Sequence, residues 1–274
     1  MHTTVILPFS ALGYLRQLHL VHISDNCLEL LVCSMGPSSN SYDPTEIVLE
    51  YYDVCLRQLD VDNFKPGSWL SDTNIEFYYE YLQRDSPFAQ RLEDASILLL
   101  QPTVSFIITQ TSDAEFISSA LPPYIKTAKW IFCPINDNVD VTKAQGGSHW
   151  SLVVIDKERS LGCYYDSLMD CNESPSRAFI QQMENVLETS LTFLPMPTPQ
   201  QSNEFDCGMF VCLETAYLVE ILTGNSSSPP DLSNAQIDAE EERIAMLNLI
   251  DELLKVADGD MIGTKEDVEI QMTA

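Results

Sequence analysis

Apolar positions recur along this chain with two periods, and the places where one gives way to the other mark its elements. After Ser68-Trp69-Leu70-Ser71-Asp72, the residues Ile75, Tyr78, Tyr79 and Leu82 fall on one face of a helix, with Ser71 or Asp72 as its N-cap. The apolar stretches 96–100 and 104–108 flank Pro102, which breaks any single regular element, so their type stays open. Residues 129–135 read as a buried strand, and 136–148 as a polar loop ending in Gly146-Gly147. Two further strands, 150–155 and 161–166, are joined by the polar turn 156–160. Residues 176–191 carry a helical pattern, and Pro195, Pro197 and Pro199 then force an extended approach. From 207 to 222 a helix shows an apolar body (Met209, Phe210, Leu213, Tyr217, Val219, Ile221), and Gly224 stops it.

Polar, proline-rich segments divide the chain. Residues 1–43, ending in Gly36-Pro37-Ser38-Ser39-Asn40-Ser41, form an extension expected to be poorly ordered. A body follows over 44–257, made of a core at 44–224, a linker at 225–232 and an amphipathic helix at 233–257. Ser233-x-x-Gln236 resembles a capping box for that helix. Its apolar stripe is Ile237, Ile244, Leu247, Ile250 and Leu254. Residues 226–274 hold 12 acidic and 3 basic side chains, so the outer face is acidic and 258–274 is expected to be a disordered acidic tail. No internal repeat is present.

Charge narrows the partners. Acidic residues outnumber basic ones 41 to 14, a net charge of −27, which repels nucleic-acid phosphates and anionic lipid and attracts a basic protein face. The same charge also serves solubility alone. No run of about 18 apolar residues supports a membrane span. None of the eight cysteines forms a Cys-x-x-Cys pair, which argues against structural zinc, and several sit in apolar runs as free thiols. A reducing setting, cytoplasm or nucleus, is expected.

Chemistry concentrates on one imidazole. Of the four histidines, His2, His19 and His22 lie in the extension, so the body holds only His149, in Gly-Gly-Ser-His-Trp. A turn centred between Lys157 and Glu158 sets His149 opposite Asp166, with Cβ atoms roughly 5 Å apart. Asp166 then accepts a ring hydrogen bond and fixes the tautomer; a centre one residue later puts the pair out of register. Cys207 opens a helix, with Asp206 or Asn203 ending the loop before it. Backbone N–H groups and the helix dipole there favour an anion, and a thiolate is the competent nucleophile. Gly208 leaves the backbone open to a substrate carbonyl, and Gln201 can offer its amide to a developing oxyanion. Each residue has a plainer structural role: His149 as a satisfied core histidine, Asp166 as a turn cap, Cys207 as a small buried residue, Trp69 and Trp150 as core aromatics. Their joint occurrence in these contexts favours chemistry.

At these residues the chain resembles the Ulp/sentrin-specific cysteine proteases, which act on ubiquitin-like modifiers. The resemblance spans about residues 44–257 and rests on Ser68-Trp69-Leu70-Ser71-Asp72, Gly146-Gly147-Ser148-His149-Trp150-Ser151-Leu152, Tyr165-Asp166-Ser167 and Gln200-Gln201-Ser202-Asn203-Glu204-Phe205-Asp206-Cys207-Gly208-Met209-Phe210-Val211. Ile135-Asn136-Asp137-Asn138, and Tyr52-Asp53 through Arg57-Gln58, are similar to the deneddylase branch. Ser71-Asp72 stands where Asn-Asp is common.

The resemblance implies an α+β, papain-like fold, circularly rearranged, with a mixed central sheet flanked by helices. It implies His149 as base and acid, Asp166 as orienter, Cys207 as nucleophile and Gln201 as oxyanion donor. Trp69 and Trp150 would wall a tunnel for a Gly-Gly tail, with Asp72, Gly208, Asn136 and Asn138 also on the substrate side and 136–148 as a lid. The expected protein is a monomeric thiol isopeptidase without metal or organic cofactor. Its partners are a ubiquitin-like modifier, foremost the neddylation modifier, and that modifier's lysine-linked conjugates, with neither nucleic acid nor membrane among them. The alternatives are a SUMO-directed protease of the same family, a non-catalytic module that holds a modifier tail, and an acyltransferase, against which the scarcity of Lys and Arg argues.

Overall fold

The computed structural model describes residues 42–111, 113–140, 142–143, 146–168, 171–224 and 230–257. The expected extension lies outside them except for its last two residues, as do the acidic tail and most of the 225–232 linker.

Strand parity explains the layering. In β4 (Trp130–Asn136), β5 (Trp150–Asp156) and β6 (Leu161–Tyr165), nearly every position is buried. Side chains alternate across a strand. Trp130, Phe132, Trp150, Leu152, Val154, Cys163 and Tyr165 join one core, while Ile131, Cys133, Ile135, Val153, Ile155 and Tyr164 join another. Such near-continuous apolar runs belong to a sheet covered on both faces. The five-stranded sheet runs β3 (Ile97–Leu99), β4, β5, β6, β7 (Thr192–Pro195), with β4–β5 and β5–β6 antiparallel and both outer pairs parallel. The expected mixed α+β sheet is thus observed.

Ahead of it lie a hairpin of β1 (Ile47–Tyr51) and β2 (Val54–Arg57), then α1 (Gln58–Asn63), α2 (Asp72–Arg84) and α3 (Ala89–Asp94). The first core packs the sheet against α2, α7 (Cys207–Thr223) and α8 (Ala239–Ala257). The second packs it against α4 (Pro102–Gln110), α5 (Ala114–Ala120) and α6 (Glu173–Leu187). Of the two N-caps considered for α2, Ser71 is the one used; its N–H donates to Asn74 Oδ1 at 2.9 Å. Pro102 resolves the open region: it takes the first turn of α4, where its missing N–H costs nothing, and β3 ends before it.

Several expected boundaries move. α6 begins at Glu173 and ends at Leu187, where Glu188 adopts a left-handed backbone (φ 53°), rather than spanning 176–191. The proline-rich approach includes a short strand, β7, beside β6. The last helix does not start at Ser233. Asp231 captures the Ser233 N–H, Leu232 and Ala235 are buried in a turn, and Asp238 accepts the Glu241 N–H at 2.9 Å at the head of α8. The capping-box reading of Ser233 and Gln236 is therefore overturned. The buried face of α8 also shifts, to Glu242, Arg243, Met246, Leu249 and Ile250, leaving Ile244, Leu247 and Leu254 at its margin.

Candidate active site

Cys207 is the first residue of α7 and is buried. Asn203 shapes the turn before it: its Oδ1 accepts the N–H groups of Phe205 (3.1 Å) and Asp206 (3.0 Å), and its Nδ2 donates to Asp206 Oδ2 at 2.7 Å. Asp206 occupies the N-cap in a helical conformation without a side-chain cap bond. The two residues left open by the sequence thus share the task.

His149 sits just ahead of β5, at the end of the long loop. Asp137, at the start of that loop, clasps it. Asp137 Oδ1 accepts the backbone N–H of Ser148 (2.5 Å) and of His149 (3.0 Å), Oδ2 accepts the Ser148 hydroxyl (2.6 Å), and the Asp137 N–H donates to the His149 carbonyl (3.3 Å). Gly147 has φ +87°, and a Cβ there would lie 1.9 Å from Asn136 Oδ1, so only glycine fits this return.

The His149 ring donates its Nε2–H to Asp166 Oδ1 at 2.6 Å. The expected hairpin register is wrong: the turn centre falls one residue later, which shifts each strand partner by two residues. Leu152 faces Tyr165 and Asp156 faces Leu161, because the turn is the four residues 157–160, with Ser160 left-handed (φ 55°), and Asp156 belongs to β5. The pairing therefore centres between Glu158 and Arg159. His149 and Asp166 meet because both lie just beyond the β5–β6 pairing, which ends at Leu152 and Tyr165.

Asp166 is held as a carboxylate. Burial pushes its pKa up, but hydrogen bonds from His149, the Asn172 N–H and the Tyr164 hydroxyl outweigh this and leave it below the usual carboxylate range. The Tyr164 hydroxyl and the Asn172 N–H (3.0 Å) reach Oδ2, and the Leu168 N–H (2.9 Å) reaches Oδ1. Asn172 also donates its side-chain amide to the carbonyls of Ile135 (3.0 Å) and His149 (3.2 Å), tying the Asp166 turn to the loop that carries the imidazole.

The imidazole responds. Burial lowers its pKa, but the Asp166 hydrogen bond, then the neighbouring Cys207 side chain and the Asp166 charge, raise it to about 9. Nδ1, the ring nitrogen not used by Asp166, is buried without a hydrogen bond at rest. Resting geometry of this kind commonly tightens only when substrate arrives.

Gln201 is locked at both ends of its amide. Oε1 accepts the Ser167 hydroxyl at 2.7 Å, and Nε2 donates to the Asn203 carbonyl at 2.6 Å. One of the two Nε2 hydrogens suffices for that bond.

A groove of about 800 Å³ opens at His149. Trp69, 43% exposed, and Trp150, 8% exposed, both line it, as do Asp72, Asn136 and Asn138. The Trp150 indole N–H donates to the Leu70 carbonyl at 3.1 Å, fixing the Trp69-Leu70 segment against β5. The carboxamides of Asn136 and Asn138 already serve the loop, accepting the N–H groups of Asn138 (2.8 Å) and Asp140 (2.9 Å). Gly208 differs from expectation. The space a Cβ would need is filled by Leu70, 2.7 Å away, so close packing on the Trp69 segment, rather than an open face for substrate, requires glycine there.

Sequence reasoning missed Asp137, Tyr164 and Asn172. Tyr164 had a signal: two residues before Asp166 at strand period, the two side chains share a side. Asp137 lay unremarked inside the quoted Asn136-Asp137-Asn138 segment. Asn172 left none, since its side-chain amide serves the carbonyls of Ile135 and His149, which are distant in sequence.

Among the described residues no group of His, Cys, Asp or Glu is placed to hold a metal ion, and no helix is long and apolar enough to cross a membrane. Comparison with known proteins agrees with the geometry. The model of the Ulp1 protease family, C-terminal catalytic domain, matches residues 68–253. The chain belongs to this family. NEDD8-specific protease 2 of Schizosaccharomyces pombe is 38% identical over 225 residues, 81% of this chain and 54% of the relative. Sentrin-specific protease 8 of Homo sapiens is 34% identical over 178 residues, 64% of this chain and 82% of the relative. A solved structure of the SUMO protease Ulp1, with its catalytic cysteine oxidized to a sulfenic acid, superposes with a TM-score of 0.53 at 26% identity, covering 77% of this chain and 90% of that one. The chain spans about half the length of the first curated relatives it matches.

Proposed function

We propose that this chain is a thiol isopeptidase that cleaves after the terminal Gly-Gly of a ubiquitin-like modifier, with the neddylation modifier preferred. The observation that carries the reading is the buried His149–Asp166 pair, whose imidazole is influenced by the Cys207 side chain at the head of α7. The names of the relatives, a NEDD8-specific protease among them, support the choice of modifier. So does a net charge of −27, which suits a modifier with a basic face.

Cys207 gives its thiol proton to His149 and attacks the carbonyl of the last glycine. Backbone N–H groups at the start of α7 and the second Nε2 hydrogen of Gln201 take the oxyanion. His149 protonates the leaving lysine amine through Nδ1, the nitrogen left free by Asp166, and then acts as base for the water that hydrolyses the thioester. Trp69 and Trp150 hold the tail in a slot that only side-chain-free residues pass, with the 136–148 loop as its lid. The same steps remove a short extension from a modifier precursor. Cys55, Cys133, Cys163, Cys207 and Cys212 are free thiols, which suits the reducing cytoplasm or nucleus.

A panel of neddylation modifier, SUMO and ubiquitin, each with a fluorogenic C-terminus, tests the reading. Turnover fastest on the neddylation modifier is expected. SUMO turned over fastest replaces the modifier assignment, and binding without turnover of any of the three replaces the protease reading with a holding module.

A further inference from the structure

The sequence leaves open whether the C-terminal helix packs on the body or serves a partner. Its role is set by one side chain. Arg243 stands on α8 directly after Glu240-Glu241-Glu242, yet it is 1% exposed. Its Nε donates to Asp206 Oδ1 at 3.0 Å, Nη1 to the carbonyls of Asn63 (2.8 Å) and Lys65 (3.2 Å), and Nη2 to those of Ser68 (2.7 Å) and Phe205 (3.3 Å). Two groups of acceptors are gathered. Asn63, Lys65 and Ser68 belong to the turn that delivers Trp69 to the groove. Phe205 and Asp206 are the two residues before Cys207.

We infer that Arg243 is a positioning residue for the active site: a single guanidinium on the C-terminal helix sets the spacing between the Trp69 wall of the groove and the start of the helix that carries Cys207. The inference rests on the role of Cys207 proposed above. The carbonyls of Asn63, at the C-terminal end of α1, and of Ser68 and Phe205 depend on this side chain, whereas Lys65 also accepts the Ser68 N–H at 3.2 Å. The planar fork of arginine reaches several acceptors in fixed directions; lysine is a single point donor and does not reproduce it. Removing the cation also leaves the Asp206 carboxylate with only Asn203 as a side-chain partner, directly before the nucleophile. The close packing of Leu70 on Gly208 makes the spacing critical, because it joins the same two segments where no slack exists. A misplacement of about 1 Å there costs about 100-fold in rate.

The test compares Arg243→Lys and Arg243→Met with Met246→Ala in the full chain. Met246 is fully buried on the same helix and touches neither segment through a polar group, so it reports loss of packing alone. Thermal midpoints, kcat and KM on the fluorogenic modifier, and the rate of Cys207 alkylation by iodoacetamide, resolved by mass spectrometry, are measured at a temperature where all variants are folded. Arg243→Lys is expected to lose about 10- to 100-fold in kcat/KM, shared between a higher KM and a lower kcat, with slower alkylation. Met246→Ala, at a similar or lower midpoint, stays within about twofold of the parent. Equal losses in Met246→Ala and Arg243→Lys, or alkylation of Cys207 unchanged in both arginine variants, overturn the inference. Alkylation needs no modifier, so slower alkylation in the arginine variants supports the clamp even where the parent cleaves none of the three modifiers; that failure would count against the functional reading only.

Discussion

Asp166 Oδ1 lies 2.6 Å from His149 Nε2, although strand pairing sets Ser151, not His149, on the position opposite Asp166. The contact is therefore not made by the sheet. It is made by what anchors the two residues outside the sheet: Asp137 on one side, and Tyr164, Leu168 and Asn172 on the other.

Tyr164→Phe removes one donor from a buried carboxylate while keeping the ring in its core. A hydrogen bond to a charged group contributes about 1.5–3 kcal/mol, so the Asp166 pKa rises and its hold on the imidazole weakens. A kcat/KM about 10-fold or more below the parent, with KM little changed, is expected in the fluorogenic assay. Parent-like kcat/KM would leave Tyr164 as packing only.

Asp137→Ala frees the N–H groups of Ser148 and His149 and loosens the return that Gly147 makes. His149 then samples positions away from Cys207. A fall of about 100-fold in kcat is expected, with the thermal midpoint moved far less than a core substitution moves it. A midpoint collapse accompanying the activity loss would instead mark Asp137 as a folding residue.

The His149 pKa, held up at about 9, gives a signed pH dependence. Its folded value lies above 6.5, so the proton stabilises the fold: that contribution is complete below 6.5 and is lost as pH rises through about 9. Amide cleavage, which needs the imidazolium as acid, falls over the same alkaline range. Asp166→Asn removes the largest raising cause, and the alkaline limb of the kcat/KM profile moves to lower pH. A limb that stays in place contradicts this origin of the shift.

Glu214 lies on α7, 1% exposed, with Oε1 lacking any hydrogen-bond partner. Burial, then the Asp166 charge, pushes its pKa well above the usual carboxylate range, while His149 pulls it down. Burial therefore favours the protonated carboxyl in the fold relative to the unfolded chain. Its contribution is complete below 4.5 and is lost as pH rises towards the folded value. Glu214→Met, of similar size and without an ionisable group, is expected to be more stable than the parent at pH 8, the gain shrinking towards pH 4. A gain independent of pH, measured by denaturant unfolding, rejects the protonated carboxyl.

The residues proposed for the chemistry sit in local contexts that the sequence displays: a helix start for Cys207, a glycine-rich return for His149, a strand end for Asp166. The central strands were equally clear from their unbroken apolar runs. What stayed hidden depends on distance along the chain. The register of β5 and β6 turned on whether Asp156 ends a strand or begins a turn, which the Ser160 backbone decides. The start of α8 was misplaced because Ser233 satisfies a capping pattern that Asp231 preempts. Arg243 did leave a trace, a base on the apolar side of an acidic helix, but its acceptors at Asn63, Ser68 and Phe205 could be known only from the fold.

A neddylation modifier ending in a C-terminal electrophile tests the central claim most directly, since the adduct forms only where a competent thiol meets a bound Gly-Gly tail. The account predicts rapid adduct formation on Cys207, located by mass spectrometry, slowed strongly by His149→Ala and abolished by Cys207→Ala, whose binding of the modifier persists. An adduct on another cysteine, or one formed at the parent's rate without His149, would contradict it.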